Sequence, residues 1–154
     1  MHGAEAGERG PQAAQTPGTG VGVVLVGHGA TATQLLAAAQ AIVGVDALAD
    51  VIAVDAGVGQ TPELAAELCQ AIRVADRGDG VLLVVDLLGA SPCSCGLRQG
   101  VGHSVALLSG LNLAMLLKLA TLNRSALGPL ELATACAASA QRSVTIRPPA
   151  EEMR

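Results

Sequence analysis

One histidine and three other polar residues stand directly after apolar runs of the chain: His28, Asp55, Asp86 and Ser109. If these runs are parallel strands, their carboxyl ends share one edge of a sheet, which is where open α/β proteins bind ligands. His28 and Asp86 close the two most apolar runs, so we expect them on neighbouring central strands. A carboxylate that holds one imidazole nitrogen fixes the ring tautomer and leaves the other nitrogen free as a nucleophile. The pair therefore predicts a nucleophilic histidine oriented by an aspartate.

The residues beside this pair predict an anion site. Gly29 leads from the histidine into one helical pattern, and Gly89-Ala90-Ser91 leads from the aspartate toward another. Backbone N–H groups at helix starts, together with the helix dipole, bind phosphate groups readily. A nucleophilic histidine beside such amides predicts phosphoryl transfer, with Gly29, Gly89, Ala90 and Ser91 as the phosphate-binding residues and with no metal or other cofactor.

The elements that carry these residues alternate between strand and helix. Apolar runs predict four strands, one ending at Gly27 and the others at Val51–Val54, Val81–Val85 and Val105–Leu108. Capping residues mark the starts of helices between them: Thr61 before Pro62, Ser91 before Pro92, Asn112, and Gly128 before Pro129. This order predicts an α/β fold with a doubly wound, mainly parallel four-stranded sheet and helices on both faces. The short run Val144–Ile146 predicts an additional C-terminal edge strand, which pairs at an edge or outside its own domain.

Composition limits the domain organisation and the class of function. The 154 residues suffice for one folded domain over 21–147, between a flexible tail over 1–20 and a C-terminal tail over 148–154. The net charge of −4 and the absence of aromatic residues argue against nucleic-acid binding. No apolar stretch reaches the roughly 20 residues that span a bilayer. Residues 1–20 lack a signal-peptide pattern, so we expect a cytoplasmic protein.

Three other polar residues have simpler interpretations than catalysis. We expect Asp55 to point into solvent from a loop and His103 to lie in a surface turn. Ser91 caps a helix in this interpretation, which still allows it to contact a phosphate.

The four cysteines are expected to stay reduced in the cytoplasm. Cys69 and Cys136 fall in helical patterns and predict small apolar core residues. Cys93 and Cys95 are separated by one residue, whereas zinc knuckles and redox motifs space their cysteines by two. The spacing therefore argues against a metal or redox role.

Three motifs in register give the chain a family resemblance: Gly27-His28-Gly29, the segment Gly80–Pro92 and the segment Ser109–Leu116. Together they resemble enzyme IIA of the mannose family, a component of the bacterial phosphoenolpyruvate-dependent sugar phosphotransferase system. The resemblance runs from about Val21 to Ile146. It implies the doubly wound fold, a phosphohistidine at His28 and an aspartate partner at Asp86.

The same resemblance implies the partners. His28 would accept phosphate from the phosphohistidine of the histidine phosphocarrier protein and pass it to a IIB component, which serves a membrane sugar permease complex. Members of the family often form homodimers by exchanging a C-terminal strand, which corresponds here to Val144–Ile146. Neither the sugar nor a role for the N-terminal tail follows from the sequence.

The chain departs from the family pattern at three positions, which bear on partner recognition. Ala90 stands where a second glycine is usual, Ser94 where an asparagine is common, and Ala114 where a proline is usual. These changes leave open an alternative function, a regulatory module of the same fold that is non-catalytic or senses phosphorylation. A close variant of the carrier function, the related phosphotransfer subunit that feeds dihydroxyacetone kinase, fits the Gly-His-Gly and Asp-x-x-Gly-x-Ser-Pro patterns less well. A nucleotide-binding enzyme is disfavoured, because the glycine-rich nucleotide motifs are missing.

Overall fold

The computed structural model describes residues 20–58, 61–88 and 102–153. Its strands are β1 (Gly22–Gly27), β2 (Ile52–Asp55), β3 (Val81–Val85) and β4 (Val105–Ser109). Its helices are α1 (Thr31–Val43), α2 (Pro62–Ala75), α3 (Leu113–Leu119) and α4 (Pro129–Ser143). Two short 3-10 turns lie at Asp46–Leu48 and Ala150–Met153. The predicted helix that begins at Pro92 lies outside the described residues.

The four strands form one parallel sheet in the order β2-β1-β3-β4. β1 and β3, which are buried along their whole length, occupy the centre and pair Val26 with Val85. The register also pairs Gly27 with Asp55 and Val85 with Ser109, so the carboxyl ends of all four strands meet at one edge. The predicted parallel α/β sheet is thus confirmed, with His28 and Asp86 following its two central strands.

Helices cover both faces of the sheet, and each face has its own apolar core. Alternate residues of the central strands serve opposite faces: Val23 and Leu25 pack on the side of α1, α3 and α4, whereas Val24 and Val26 pack on the side of α2. Burying each such side chain contributes about 1.5–3 kcal/mol, which aliphatic residues supply here without any aromatic residue. Cys136 belongs to the first core, as its helical pattern predicted.

Three helices begin where the sequence predicted: α2 after Thr61, α3 after Asn112 and α4 after Gly128. The Thr61 side chain accepts a hydrogen bond from the Leu64 amide at 3.1 Å, with Pro62 in the first helical position. The Asn112 side chain accepts one from the Met115 amide at 3.0 Å. Among the described residues, no helix is both long enough and apolar enough to cross a membrane.

The C-terminal segment after α4 has no regular structure until the turn that begins at Ala150. Val144 and Ile146 in this segment are 80% and 92% exposed. A strand needs a partner strand, and in this single chain the segment pairs with none of the described strands. The exchanged edge strand therefore stays a prediction about a dimer.

Candidate functional site

His28 lies in the short loop between β1 and α1, flanked by two glycines with different roles. A Cβ atom on Gly27 would lie 3.0 Å from the Thr31 Cβ, so this position favours the absence of a side chain. Gly29 has open space around it, but its φ of +55° is a conformation that other residues rarely adopt. The first glycine lets α1 approach the strand closely, and the second turns the chain into the helix.

Asp86 holds both the backbone and the ring of His28. One carboxylate oxygen, Oδ2, accepts the His28 amide at 2.8 Å and lies 2.9 Å from the ring Nδ1. The other oxygen accepts the Leu87 amide at 2.8 Å. The Asp86 side chain is 15% exposed and the His28 side chain 37% exposed, so the carboxylate is shielded while the ring reaches solvent. The predicted histidine–aspartate pair is present.

These contacts determine the charge of Asp86 and the tautomer of His28. Partial burial raises the pKa of Asp86, but the hydrogen bonds from His28 and Leu87 outweigh it, and its pKa lies below the usual value. An ionised carboxylate only accepts hydrogen bonds, so the Nδ1 atom of His28 must carry the proton that it shares with Asp86. The Nε2 lone pair of the neutral ring is then available for nucleophilic attack.

The backbone of Asp86 ties the site to the neighbouring strands. Its amide donates to the Val26 carbonyl at 3.2 Å, and its carbonyl accepts the Gly110 amide at 3.2 Å. Asp86 therefore joins the ends of β1 and β4, with Ser109, the last residue of β4, directly before the donor of that second bond.

The histidine loop is also bound to the loop that follows β2. The Ala56 amide donates to the Gly27 carbonyl at 2.8 Å, and the Gly29 amide donates to the Gly57 carbonyl at 2.9 Å. The same loop is bound to the start of α1, where the Thr31 hydroxyl donates to the His28 carbonyl at 2.6 Å. The Gly29 amide, which the sequence predicted to bind phosphate, thus has a protein acceptor in this structure.

Asp55 differs from its expected orientation toward solvent. It ends β2, and its two carboxylate oxygens accept the Thr33 amide at 3.1 Å and the Thr33 hydroxyl at 2.6 Å. Sequence reasoning missed this contact because the two residues belong to different elements. The signal was a threonine in the first turn of α1, which follows β1, while the aspartate ends the strand that pairs with β1.

A second histidine–aspartate pair lies at the other end of the strands, where β3 and β4 begin. The His103 Nδ1 lies 2.7 Å from the Asp76 Oδ2, and the other Asp76 oxygen accepts the amides of Gly78 and Gly80 at 2.9 Å and 3.3 Å. The expectation of a plain surface turn therefore missed the contact of His103. Gly80 precedes β3 and His103 precedes β4, so this pair lies far from His28 along the strands.

Some of the residues that the sequence singled out lie outside the described residues. These are the predicted phosphate-binding residues Gly89, Ala90 and Ser91, and also Cys93, Ser94 and Cys95. Cys69 is half-buried in α2, and burial raises the pKa of the Cys136 thiol to about 11. Within 20–58, 61–88 and 102–153, no three His, Cys, Asp or Glu residues come together as a possible metal site.

Comparisons with solved structures identify similar folds. The mannose/sorbose specific IIA subunit of the phosphotransferase system from Enterococcus faecalis superimposes with a TM-score of 0.72 at 29% identity, covering 85% of this chain and 98% of that one. The PTS IIA protein associated with the fucose utilization operon from Streptococcus pneumoniae gives a TM-score of 0.70 at 22% identity, covering 85% and 96%. A sigma-54 interaction domain protein from Enterococcus faecalis gives 0.61 at 18% identity, covering 82% and 94%. The last two likenesses show the fold alone.

Two further comparisons use the sequence alone, one with curated proteins and one with models of protein families. A search of curated proteins found no match to the chain. The family model EIIA-man, described as the PTS system fructose IIA component, matches residues 22–134, which include β1 to β4, His28 and Asp86. The chain therefore belongs to the EIIA-man family of sugar phosphotransferase system components.

Proposed function

We propose that the protein is a phosphohistidine carrier of a sugar phosphotransferase system, with His28 as the phosphorylated residue. The observation that carries this proposal is the contact between the His28 Nδ1 and Asp86, which leaves the Nε2 lone pair free on a side chain that is 37% exposed. Membership of the EIIA-man family supports the same chemistry. We propose the histidine phosphocarrier protein as the donor and a IIB component as the acceptor, with the exchange taking place in the cytoplasm.

The transfer itself needs no proton movement. The Nε2 atom of His28 attacks the phosphorus of the donor's phosphohistidine, a new P–N bond forms, and the P–N bond to the donor breaks with its electron pair returning to the donor imidazole. Asp86 keeps the ring proton at Nδ1 and stabilises the positive charge that the ring gains. Onward transfer reverses these roles, with the IIB component supplying the attacking nucleophile.

Backbone amides supply the electrostatic stabilisation of the phosphoryl oxygens in this proposal. We propose the backbone amides of Gly89, Ala90 and Ser91, together with that of Gly29. Since the Gly29 amide is bonded to Gly57, it contributes only by sharing or exchanging that bond. The next amide, of Ala30, has no acceptor within the described residues and adds a second donor at the start of α1.

We also propose a homodimer formed by exchange of C-terminal segments. β4 lies at the edge of the sheet, where among the described strands it pairs only with β3. The exposed Val144 and Ile146 supply the apolar side chains that a strand added to this edge would bury. Truncation after Ser143 should convert the dimer to a monomer in sedimentation experiments; a truncated protein that still dimerises would contradict the exchange.

Phosphorylation by reconstituted donors tests the main proposal. Phosphoenolpyruvate, enzyme I and the histidine phosphocarrier protein should label the wild-type chain, and the label should be acid-labile and alkali-stable. The His28→Ala variant should take up no label. The His103→Ala variant is a matched control, because His103 has the same kind of aspartate contact at the other end of the strands, and it should label normally.

Three outcomes of this experiment separate the proposal from its alternatives. Labelling of His28 followed by loss of the label to a IIB protein supports the carrier role. Labelling without transfer to any IIB protein supports the regulatory module. Failure of the folded wild-type chain to accept phosphate from these donors would overturn the proposed chemistry.

A further inference from the structure

The loop that carries His28 is bound to the end of the neighbouring strand β2 by four hydrogen bonds. Two of them join backbone to backbone, from Ala56 to Gly27 and from Gly29 to Gly57. The other two end on the Asp55 side chain, which accepts both the amide and the hydroxyl of Thr33. Asp55 is therefore the residue whose side chain connects β2 to the first turn of α1.

Asp55 replaces a capping residue that α1 lacks. The residue at the N-cap position of α1 is Ala30, which offers no side-chain acceptor to the first-turn amides. Asp55 provides this acceptor from the adjacent strand, at the third helical position, where a capping side chain normally bonds. A carboxylate at this end of a helix also interacts favourably with the helix dipole.

The contact is connected to His28 through one turn of helix. Thr31, two residues before Thr33, donates both its amide, at 3.0 Å, and its hydroxyl, at 2.6 Å, to the His28 carbonyl. Thr31 and Thr33 belong to the same turn of α1. A contact that fixes Thr33 therefore also fixes the Thr31 amide and hydroxyl, which bind the His28 carbonyl. Asp86 fixes the same residue from the other side, through its amide and its ring.

We propose that Asp55 is a positioning residue for His28, which caps α1 from β2 and so fixes the backbone from which the nucleophilic ring projects. This inference rests on the proposed role of His28 as phosphate acceptor. Asp55 acts through α1 and touches neither the ring nor the donor. Its removal frees the first turn of α1, which loosens the His28 carbonyl and allows the ring to leave the geometry that Asp86 imposes.

Two substitutions separate the geometry of this contact from its charge. Asp55→Ala removes both acceptor oxygens. Asp55→Asn keeps one oxygen for the Thr33 amide and presents an NH₂ group to the Thr33 hydroxyl. The hydroxyl can accept from this group by turning its single proton to the Ala30 carbonyl, 3.3 Å away. The asparagine variant should therefore retain positioning without the negative charge. Asp46→Ala is a control, because Asp46 is an exposed carboxylate in the 3-10 turn, away from the histidine loop.

Two measurements follow on proteins that circular dichroism shows to be folded. The first is the initial rate of His28 phosphorylation by the histidine phosphocarrier protein and, separately, by phosphoramidate, a small-molecule phosphoryl donor. The second is the pH titration and tautomer of the His28 ring by ¹⁵N nuclear magnetic resonance, assigned with a His28→Gln variant. The ring measurement needs no phosphate, so it tests positioning even if the proposed function fails.

Asp55→Ala should slow phosphorylation by both donors roughly 3- to 10-fold, the range set by the loss of a helix cap, and should mix the two neutral tautomers of His28. Asp55→Asn and Asp46→Ala should stay within about twofold of wild type and keep one dominant tautomer. A wild-type rate and wild-type ring titration in Asp55→Ala would overturn the positioning role. Absence of label from the carrier protein in every variant, with the tautomer change still present in Asp55→Ala, would instead reject the proposed function alone.

Discussion

The backbone amide and the ring Nδ1 of His28 converge on one oxygen of Asp86, at 2.8 Å and 2.9 Å. Because a single carboxylate oxygen makes both contacts, the position of the histidine backbone and the rotation of its ring are determined together. The second oxygen is bonded to the Leu87 amide, so the carboxylate cannot rotate away without losing a further hydrogen bond. Asp86 thus holds both the backbone position and the ring orientation of His28.

Replacing Asp86 by Asn should slow phosphorylation of His28 roughly 10- to 100-fold, since hydrogen bonds to a charged partner contribute about 1.5–3 kcal/mol and 1.4 kcal/mol is tenfold in rate. Asparagine has only one oxygen, so it cannot accept from both His28 and Leu87 as the carboxylate does. Initial rates of labelling provide the measurement, and circular dichroism should show an intact fold.

Asp79→Asn is the matched control for that experiment. Asp79 also accepts a backbone amide, that of Gly20 at 3.1 Å, but it contacts no histidine among the described residues. Its variant should phosphorylate at the wild-type rate. Equal rates for Asp86→Asn and wild type would remove Asp86 from the mechanism.

Substitution of Gly29 should separate backbone strain from steric crowding. No atom lies within 4 Å of a Cβ built on Gly29, but its φ is +55°. Alanine there should lower the free energy of unfolding by about 1 kcal/mol, whereas asparagine, which tolerates this conformation better, should cost less. Urea unfolding of the two variants measures the difference. Equal costs for alanine and asparagine would show that the loop relaxes to another conformation.

The arrangement of the sheet could be predicted because the local signals agree. The runs that form β1 and β3 are apolar throughout, and burial on both faces requires that pattern. Thr61 and Asn112 mark helix starts through their own side chains, which is a local effect. The His28–Asp86 contact could be inferred from these elements, because the order of a parallel sheet brings the ends of its central strands together.

Other contacts could not be predicted, since they depend on which strands are neighbours and on how helices overlie them. Asp55 reaches Thr33 only because β2 pairs with β1, and several other strand orders fit the same sequence. The His103–Asp76 contact joins two turns at the amino ends of strands, where no motif marks a meeting point. The sequence pattern of Val144–Ile146 predicted a strand, but no described strand of this chain pairs with the segment.

The Asp76–His103 contact should make stability depend on acidic pH. The hydrogen bond from His103, with those from the Gly78 and Gly80 amides, holds the pKa of Asp76 below its ordinary value of 3.8. The unfolded chain therefore binds a proton at Asp76 at a higher pH than the native protein does. The stabilisation is present above the unfolded pKa and is lost as the pH falls below about 4 through the native pKa.

Urea unfolding between pH 7 and pH 3 measures this dependence. Asp76→Asn should be less stable than wild type at pH 7, by about 1 kcal/mol for the loss of hydrogen bonding, and should lose less further stability on acidification. His103→Ala should reduce the dependence in part, because the amide donors remain. An unchanged dependence on pH in Asp76→Asn would assign the acid sensitivity to other carboxylates. Asp86 is one of these, since its pKa is also lowered.

Among the described residues outside the site, Arg124 should be the charged residue whose replacement destabilises the fold most. Its side chain is 5% exposed and donates to the Val21 carbonyl at 3.3 Å and to Asp50, while its own carbonyl accepts the Val21 amide at 3.0 Å. Arg124→Ala should lower the free energy of unfolding by about 2–4 kcal/mol, because the Val21 carbonyl and Asp50 lose a shared donor.

Arg124→Lys should recover less than half of that loss, since a single ammonium group does not reproduce the fork of a guanidinium that reaches two acceptors. Arg73→Ala is the control: Arg73 is exposed, donates to Gln70, and its removal should change stability by no more than about 0.5 kcal/mol. Urea unfolding at pH 7 compares the three variants. Wild-type stability in Arg124→Lys would show that charge alone, and not the paired geometry at Val21 and Asp50, holds this part of the fold.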